Sequence, residues 1–309
     1  MGKQPPGSLQ NLRPNKPALP EMNFGGAEVV YDYAGSGIII VPVPYDATST
    51  WMKGSDKGPD AIMEASVNLE FYDVETGTEA HKNGIHTIDP IIENRSPEEL
   101  VKAVYEKALH LLSDKKFPVI VGGNHSVSIG SIKAFSEKFE NLTILQLDAH
   151  SDLRQEYEGS RFNHACAMAR AREYAPLVQV GIRSMSAEEL EFADNERIFY
   201  SHDLYYNKQL YRSAIDKLSE NVYITIDLDV FDPSLMPSTG TPEPGGPDYF
   251  EIMHFLRDVA KERNVLGFDV VELCPSPANK FPDFVAAKVI YQLLSYIFNE
   301  RPATPLKWG

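Results

Sequence analysis

The chain has 309 residues, 43% of them hydrophobic and 24% charged, enough to bury a large core as one big domain or two ordinary ones. Its formal net charge of -15 argues against nucleic acid or an anionic membrane as partner and favours the approach of cationic ligands. Two cysteines, Cys166 and Cys274, exclude a disulfide framework and a cysteine-rich zinc site, and no apolar run reaches the ~18 residues of a membrane span.

Residues 1–23 are polar and proline-rich, with no apolar stretch of the signal-peptide kind. They read as a tail or arm ahead of a single catalytic domain at 24–309, in a cytoplasmic protein. Six short apolar runs follow: 37–44 (GIIIVPVP), 117–123 (FPVIVGG), 142–149 (LTILQLDA), 177–183 (LVQVGIR), 222–230 (VYITIDLDV) and 265–273 (VLGFDVVEL). They read as strands buried on both faces, as in a parallel sheet. The clearest helix lies between the first two, where Ser96 can cap, Pro97 suits the first helical position and Glu99 completes a capping box. Val101, Val104, Ala108, Leu111 and Leu112 give it one apolar stripe, and 282–300 reads as a helix near the end. Alternation of this kind predicts an α/β fold, three layers (αβα) around a mainly parallel central sheet, with ligands collecting beyond the carboxyl ends of the strands.

Polar residues that end the apolar runs are therefore the ones to inspect. One run ends in His125, another in Asp148, His150 and Asp152, a third in Asp227 and Asp229, and a fourth near Glu272. Taken singly, a histidine after two glycines is usually a turn residue, and an aspartate pair can bind backbone N–H groups. Together, carboxylates crowded on one rim repel unless a cation neutralises them, and alternate spacing on a strand would point them the same way. His125, Asp148, His150, Asp152, Asp227 and Asp229 make two imidazoles, four carboxylates and no thiolate. This set suits two Mn²⁺ ions, with Zn²⁺, Co²⁺ or Fe²⁺ also open, because six side chains exceed what one catalytic ion with an open position needs.

The segments GGNHS, DAHSDLR and DLDVFDPS resemble the metal-ligand signatures of the ureohydrolases, the arginase and agmatinase family of dimanganese enzymes. The likeness runs from about residue 42 to about residue 299, and 156–170, 180–184, 238–246 and 270–275 look most like agmatinase. It implies the arginase/deacetylase-type fold, urea release and a homo-oligomer, trimer or hexamer. It also implies that Glu272 pairs with the guanidinium N–H groups of a small cationic substrate, and that His164 carries protons to the leaving amine. Asp232 and Glu243, in the loop after the last ligand pair, are expected near the ligands or the substrate end. Asn124 stands where family members often carry an acid, so the support of His125 should differ modestly. Glu156 and Glu158 beside Arg154 favour a cationic tail, hence agmatine, cleaved to putrescine and urea. Aminopropyl agmatine, guanidinobutyrate and arginine are the alternatives, followed by a metal-dependent deacetylase or a catalytically silent binding homologue.

Overall fold

Each of the six apolar runs forms a strand, and two three-residue strands that the pattern does not announce are added at the edges. The computed structural model describes residues 23–299. In chain order the elements are β1 (Ile38–Val43), α1 (Gly58–Ser66), β2 (Ile85–Thr87), α2 (Pro97–Ser113), β3 (Phe117–Gly122), α3 (Ser128–Lys138), β4 (Leu142–Leu147) and α4 (Ala167–Ala171). They continue as β5 (Leu177–Ile182), β6 (Ile198–Tyr200), α5 (Ser201–Tyr206), α6 (Gln209–Asp216), β7 (Asn221–Asp227), α7 (Tyr249–Glu262), β8 (Asn264–Val271) and α8 (Phe281–Asn299). One eight-stranded sheet runs β2-β1-β3-β8-β7-β4-β5-β6. Its pairings are all parallel, where the sequence predicted a mainly parallel sheet.

Alternation along each strand sorts the core into two layers. Ile38 and Ile40 of β1, with Val222, Ile224 and Ile226 of β7, pack with α1, α7 and α8. Ile39, Val41 and Val43 face the opposite way, onto Leu100, Val104 and Leu111 of α2. Burial on both faces explains why the strands read as unbroken apolar runs rather than alternating ones. The edge strands β2 and β6 are too short to leave such a signal.

The expected capping box of α2 is half made. Ser96 accepts the Glu99 N–H at 3.2 Å, but the Glu99 carboxylate accepts from Arg95 at 3.2 Å instead of reaching back to the Ser96 N–H. Of the expected tail, residues 1–22 lie outside the described residues, and Asn23 is packed into the fold. Its Nδ2 donates to the Val29 carbonyl at 2.6 Å and its Oδ1 accepts the Thr87 N–H at 3.1 Å. No helix among the described residues is long and apolar enough to cross a membrane.

Strand order also gathers the polar run ends in one place. The four strands that end in acid or imidazole, β3, β8, β7 and β4, are neighbours at the centre of the sheet, so their carboxyl ends form one contiguous rim.

Candidate active site

Backbone geometry, not the strand pleat, brings the rim residues together. β4 stops at Leu147, and Asp148 to Asp152 lie beyond it; β7 stops at Asp227, and residues 228–230 form a 3-10 turn. The expectation that alternate spacing points Asp148, His150 and Asp152 the same way is therefore corrected. Asp152 takes a left-handed φ of 53°, and donor atoms converge in two groups, His125 with Asp148 and Asp152, and Asp148 with His150 and Asp229. Glu272 also has a left-handed φ, 68°. For non-glycine residues such backbone is costly, and the surrounding structure must enforce it. At the end of β3, Gly123 lies so close to the Tyr45 backbone that a Cβ would collide, which lets the chain turn into His125. Asn124 then caps that turn: its Oδ1 accepts from Ser126 Oγ at 2.6 Å, and its Nδ2 donates to Thr48 Oγ1 at 2.8 Å. An amide can do both, accepting and donating, where a carboxylate could only accept.

The distances define the site. His125 Nδ1 lies 3.1 Å from Asp148 Oδ2, 3.0 Å from Asp152 Oδ2 and 3.5 Å from Asp227 Oδ2. His150 Nδ1 lies 2.8 Å from Asp229 Oδ2 and 3.7 Å from Asp148 Oδ1. Asp148 thus turns one oxygen toward each histidine. Asp227 Oδ1 accepts the Asp229 N–H at 2.9 Å, and Asp229 Oδ1 accepts the Ala149 N–H at 3.0 Å, which ties the two loops together. All six residues are buried except His150, which is partly open.

These residues fit a pair of divalent cations. The buried His125 Nδ1 faces three carboxylate oxygens yet makes no well-directed hydrogen bond to any of them. The donors are imidazole nitrogen and carboxylate oxygen without sulfur, and Asp148 offers one oxygen to each half. Without a cation Asp148, Asp227 and Glu272 resist ionising, whereas Asp229, although burial opposes it, is held ionised by His150. Burial, then the charge of Asp229, pushes Asp148 up to about 7 and raises Asp227 as well. Burial also takes Glu272 to about 8. At His150 burial pulls the imidazole down, but Asp229 prevails and raises it to about 10.

A pH dependence results. Asp148 and Glu272 bind protons more tightly folded than at their ordinary values of 3.8 and 4.5, so their ionisation destabilises the fold as pH climbs toward 7 and 8. His150 stabilises below its ordinary 6.5, and that contribution is lost as pH rises through about 10. Both act in one direction. The melting temperature of metal-stripped protein should fall between about pH 5 and about pH 9, and saturating Mn²⁺, which binds the deprotonated ligands, should offset the fall. A flat or rising profile for the stripped protein in calorimetry would contradict this behaviour of the acids.

A cleft of about 270 Å³ opens onto the cluster, lined by His150, Asp152, Asp227 and Asp229 together with His164 and Glu272. Glu272 Oε1 accepts the His125 N–H at 2.7 Å, while Oε2 lies on the Gly240 side of the cleft. His164 hangs from Thr48, whose Oγ1 accepts its N–H at 3.2 Å; its Nδ1 is buried without a hydrogen-bond partner, and burial lowers its pKa. Glu243 reaches within 3.9 Å of His150 Nε2. Asp232 sits away from the cluster, its carboxylate accepting the N–H groups of Ser234 at 3.0 Å and Gly245 at 2.9 Å, so it braces the loop that carries Glu243.

Several supporting residues are not legible in the sequence. Gln146 Nε2 donates to Asp148 Oδ2 at 2.7 Å. Glu189 accepts from Ser151 Oγ at 2.6 Å and from the N–H groups of Leu153 at 2.9 Å and Ser186 at 2.7 Å. Arg183 donates to the carbonyls of Asp229 at 2.6 Å and Glu243 at 2.9 Å. Behind His125 lie Thr225 and Asp269, both fully buried. For Gln146, Thr225 and Asp269 the one signal available is a polar side chain interrupting an apolar strand, which does not say what it supports; Arg183 and Glu189 lie outside the strands and leave no such signal.

Comparison with known proteins agrees with this geometry. The arginase family model matches residues 36–295. N(1)-aminopropylagmatine ureohydrolase of Synechocystis sp. is 36% identical over 294 residues, covering 92% of this chain and 96% of that protein. Agmatinase of Pyrococcus horikoshii is 33% identical over 266 residues, covering 85% and 93%. Among solved structures, the agmatine ureohydrolase of Thermoplasma volcanium superposes with a TM-score of 0.82 at 30% identity, covering 90% of this chain and 94% of that one. The chain belongs to the arginase family and is a metal-dependent amidinohydrolase of the agmatinase-like kind, acting on guanidino C–N bonds.

Proposed function

We propose that the chain hydrolyses linear guanidino amines of the agmatine class, releasing urea and a polyamine, with His125, Asp148, His150, Asp152, Asp227 and Asp229 as ligands of two Mn²⁺ ions. The observation that carries the reading is the convergence of six nitrogen and oxygen donors at the floor of a cleft whose wall presents Glu272. Two divalent cations at these donors supply positive charge that acidifies water and offsets charge developing in the transition state.

The chain's own residues do the rest. Glu272, fixed at one oxygen by the His125 N–H, has Oε2 left to pair with guanidinium N–H groups and place the planar carbon over the cluster. His164 is kept neutral by burial, so its ring can take up a proton from the reacting centre and pass it to the departing amine. Trp51, Met52, Tyr157 and Met185 surround the cleft and limit water around the substrate tail. Apart from the proposed ligands, the charged side chains lining the cleft are Glu189 and Glu272 against Arg154, which stacks 4.6 Å over the Tyr157 ring and lies 3.9 Å from Glu189. Glu156 and Glu158, which the sequence singled out, are exposed and do not line the cleft. With Glu272 committed to the guanidinium and Arg154 beside Glu189, the lining offers no unpaired cation to hold the carboxylate of arginine or guanidinobutyrate, which favours an amine tail.

Within the class, agmatine yields putrescine, and its N1-aminopropyl derivative is the second reading, favoured by the 36% identical relative of that name. Comparing kcat/KM for agmatine, aminopropylagmatine, guanidinobutyrate and arginine tests the assignment. One of the first two should lead by at least ~10-fold, since a buried charge mismatch costs more than about 1.4 kcal/mol. A lead for arginine would overturn it. His164→Ala should keep both metals and lose about 10²- to 10⁴-fold in kcat, the range for positioned proton transfer. Unchanged turnover would remove His164 from the mechanism. The same reading takes the protein to be a homo-oligomer of three or six copies, and a monomer in light scattering would remove that part.

A further inference from the structure

We propose that Asp269 is a positioning residue for the cation pair, acting through the Thr225 hydroxyl to fix which nitrogen of His125 carries the proton. The inference rests on the reading of His125 as a metal ligand and goes beyond it, because Asp269 touches neither the cleft nor the other donors.

Asp269 is fully buried in the middle of β8, three residues before Glu272, and makes no ion pair among the described residues. A buried carboxylate without a cationic partner is costly, so its hydrogen bonds ask for a reason. Oδ1 accepts the Thr225 hydroxyl at 2.6 Å, and Oδ2 accepts the Tyr223 hydroxyl at 2.8 Å. Ser131 Oγ also lies 2.8 Å from the Tyr223 oxygen, and its own proton goes to the Ser128 carbonyl at 2.9 Å. Each hydroxyl has one proton to give. Once Thr225 has given its proton to Asp269, it can only accept from His125 Nε2, 2.8 Å away. The Nε2 position therefore carries the N–H, and the lone pair at Nδ1 faces Asp148, Asp152 and Asp227. Histidine ligands are commonly oriented by a hydrogen bond at the other nitrogen.

His150 has no such chain behind it. Its Nε2 points toward Glu243 at 3.9 Å in a partly open position. The two halves of the cluster should respond differently when Asp269 is changed. Asp269→Asn keeps the shape but lets an amide donate to Thr225, which reverses the hydroxyl, places a hydrogen-bond donor against Nε2 and moves the imidazole proton to Nδ1. Thr225→Val removes the acceptor altogether, whereas Thr225→Ser retains it.

The test is a Mn²⁺ titration of the metal-stripped full chain, with free Mn²⁺ followed by electron paramagnetic resonance. The wild type should take up two ions. In Asp269→Asn and Thr225→Val the affinity for one of them should fall about 10- to 100-fold while the other stays within about twofold, and Thr225→Ser should resemble the wild type. Unchanged affinities in folded Asp269→Asn or Thr225→Val, with only a lower melting temperature in chelator, would overturn the proposal by leaving Asp269 a purely structural role. Equal weakening of both ions would overturn it too. If one variant fails to fold, the other decides. A wild type that does not bind two ions would instead sink the metal reading itself, so the two failures are distinguishable.

Discussion

Asp148→Ala should lower kcat/KM by about 10³-fold or more and reduce bound divalent metal below one ion per chain, since several kcal/mol of charge stabilisation depend on the pair, at about 1.4 kcal/mol per decade. The expected effect is larger than for the other proposed ligands because Asp148 turns one oxygen toward each histidine, 3.1 Å from His125 Nδ1 and 3.7 Å from His150 Nδ1. Asp148 also knits the loop, since its Oδ1 accepts the His150 N–H at 2.5 Å. The metal-stripped variant should nevertheless melt at or above the stripped wild type at about pH 8, because it removes a buried acid that ionises reluctantly. Metal analysis, urea release and calorimetry on one preparation check all three statements. Retention of two ions with wild-type turnover would show that neither metal binding nor catalysis depends on Asp148.

Glu272→Gln should keep both metals and lower kcat/KM on the preferred substrate about 10²- to 10⁴-fold, the equivalent of two charge-assisted hydrogen bonds at about 1.5–3 kcal/mol each. The amide oxygen can still accept the His125 N–H, so the left-handed turn at residue 272 should survive. Lost instead is the anion proposed to pair with the guanidinium. Urea release by the variant, measured alongside its metal content, separates substrate orientation from metal binding. A loss confined to metal content, with turnover per bound metal unchanged, would assign Glu272 to the support of His125 alone.

Much of this arrangement is legible in the sequence because the chemistry sits at strand ends. Six long strands announce themselves as doubly buried apolar runs, and the polar residues after four of them are the proposed donors. Legibility fails where structure depends on partners distant in sequence. Strands β2 and β6, three residues each, are held by their neighbours β1 and β5, with too little pattern of their own. Spacing singles out 148, 150 and 152, but the pleat is not what gathers their donor atoms, since the chain leaves the sheet there and a left-handed turn at Asp152 replaces it. The Glu99 half of the capping box is diverted by Arg95, which a motif of four residues cannot foresee. Asp269, Thr225 and Arg183 act through contacts 44 to 100 positions away in the chain.

Whether paired cations hold the acids of this rim together decides the proposed chemistry. Equilibrium dialysis of the stripped wild-type chain against Mn²⁺, with bound metal measured per chain, tests that most directly. Two ions bound per chain, with urea release rising as the second site fills, is the predicted result. Full urea release from a guanidino amine with one ion or none bound would contradict it.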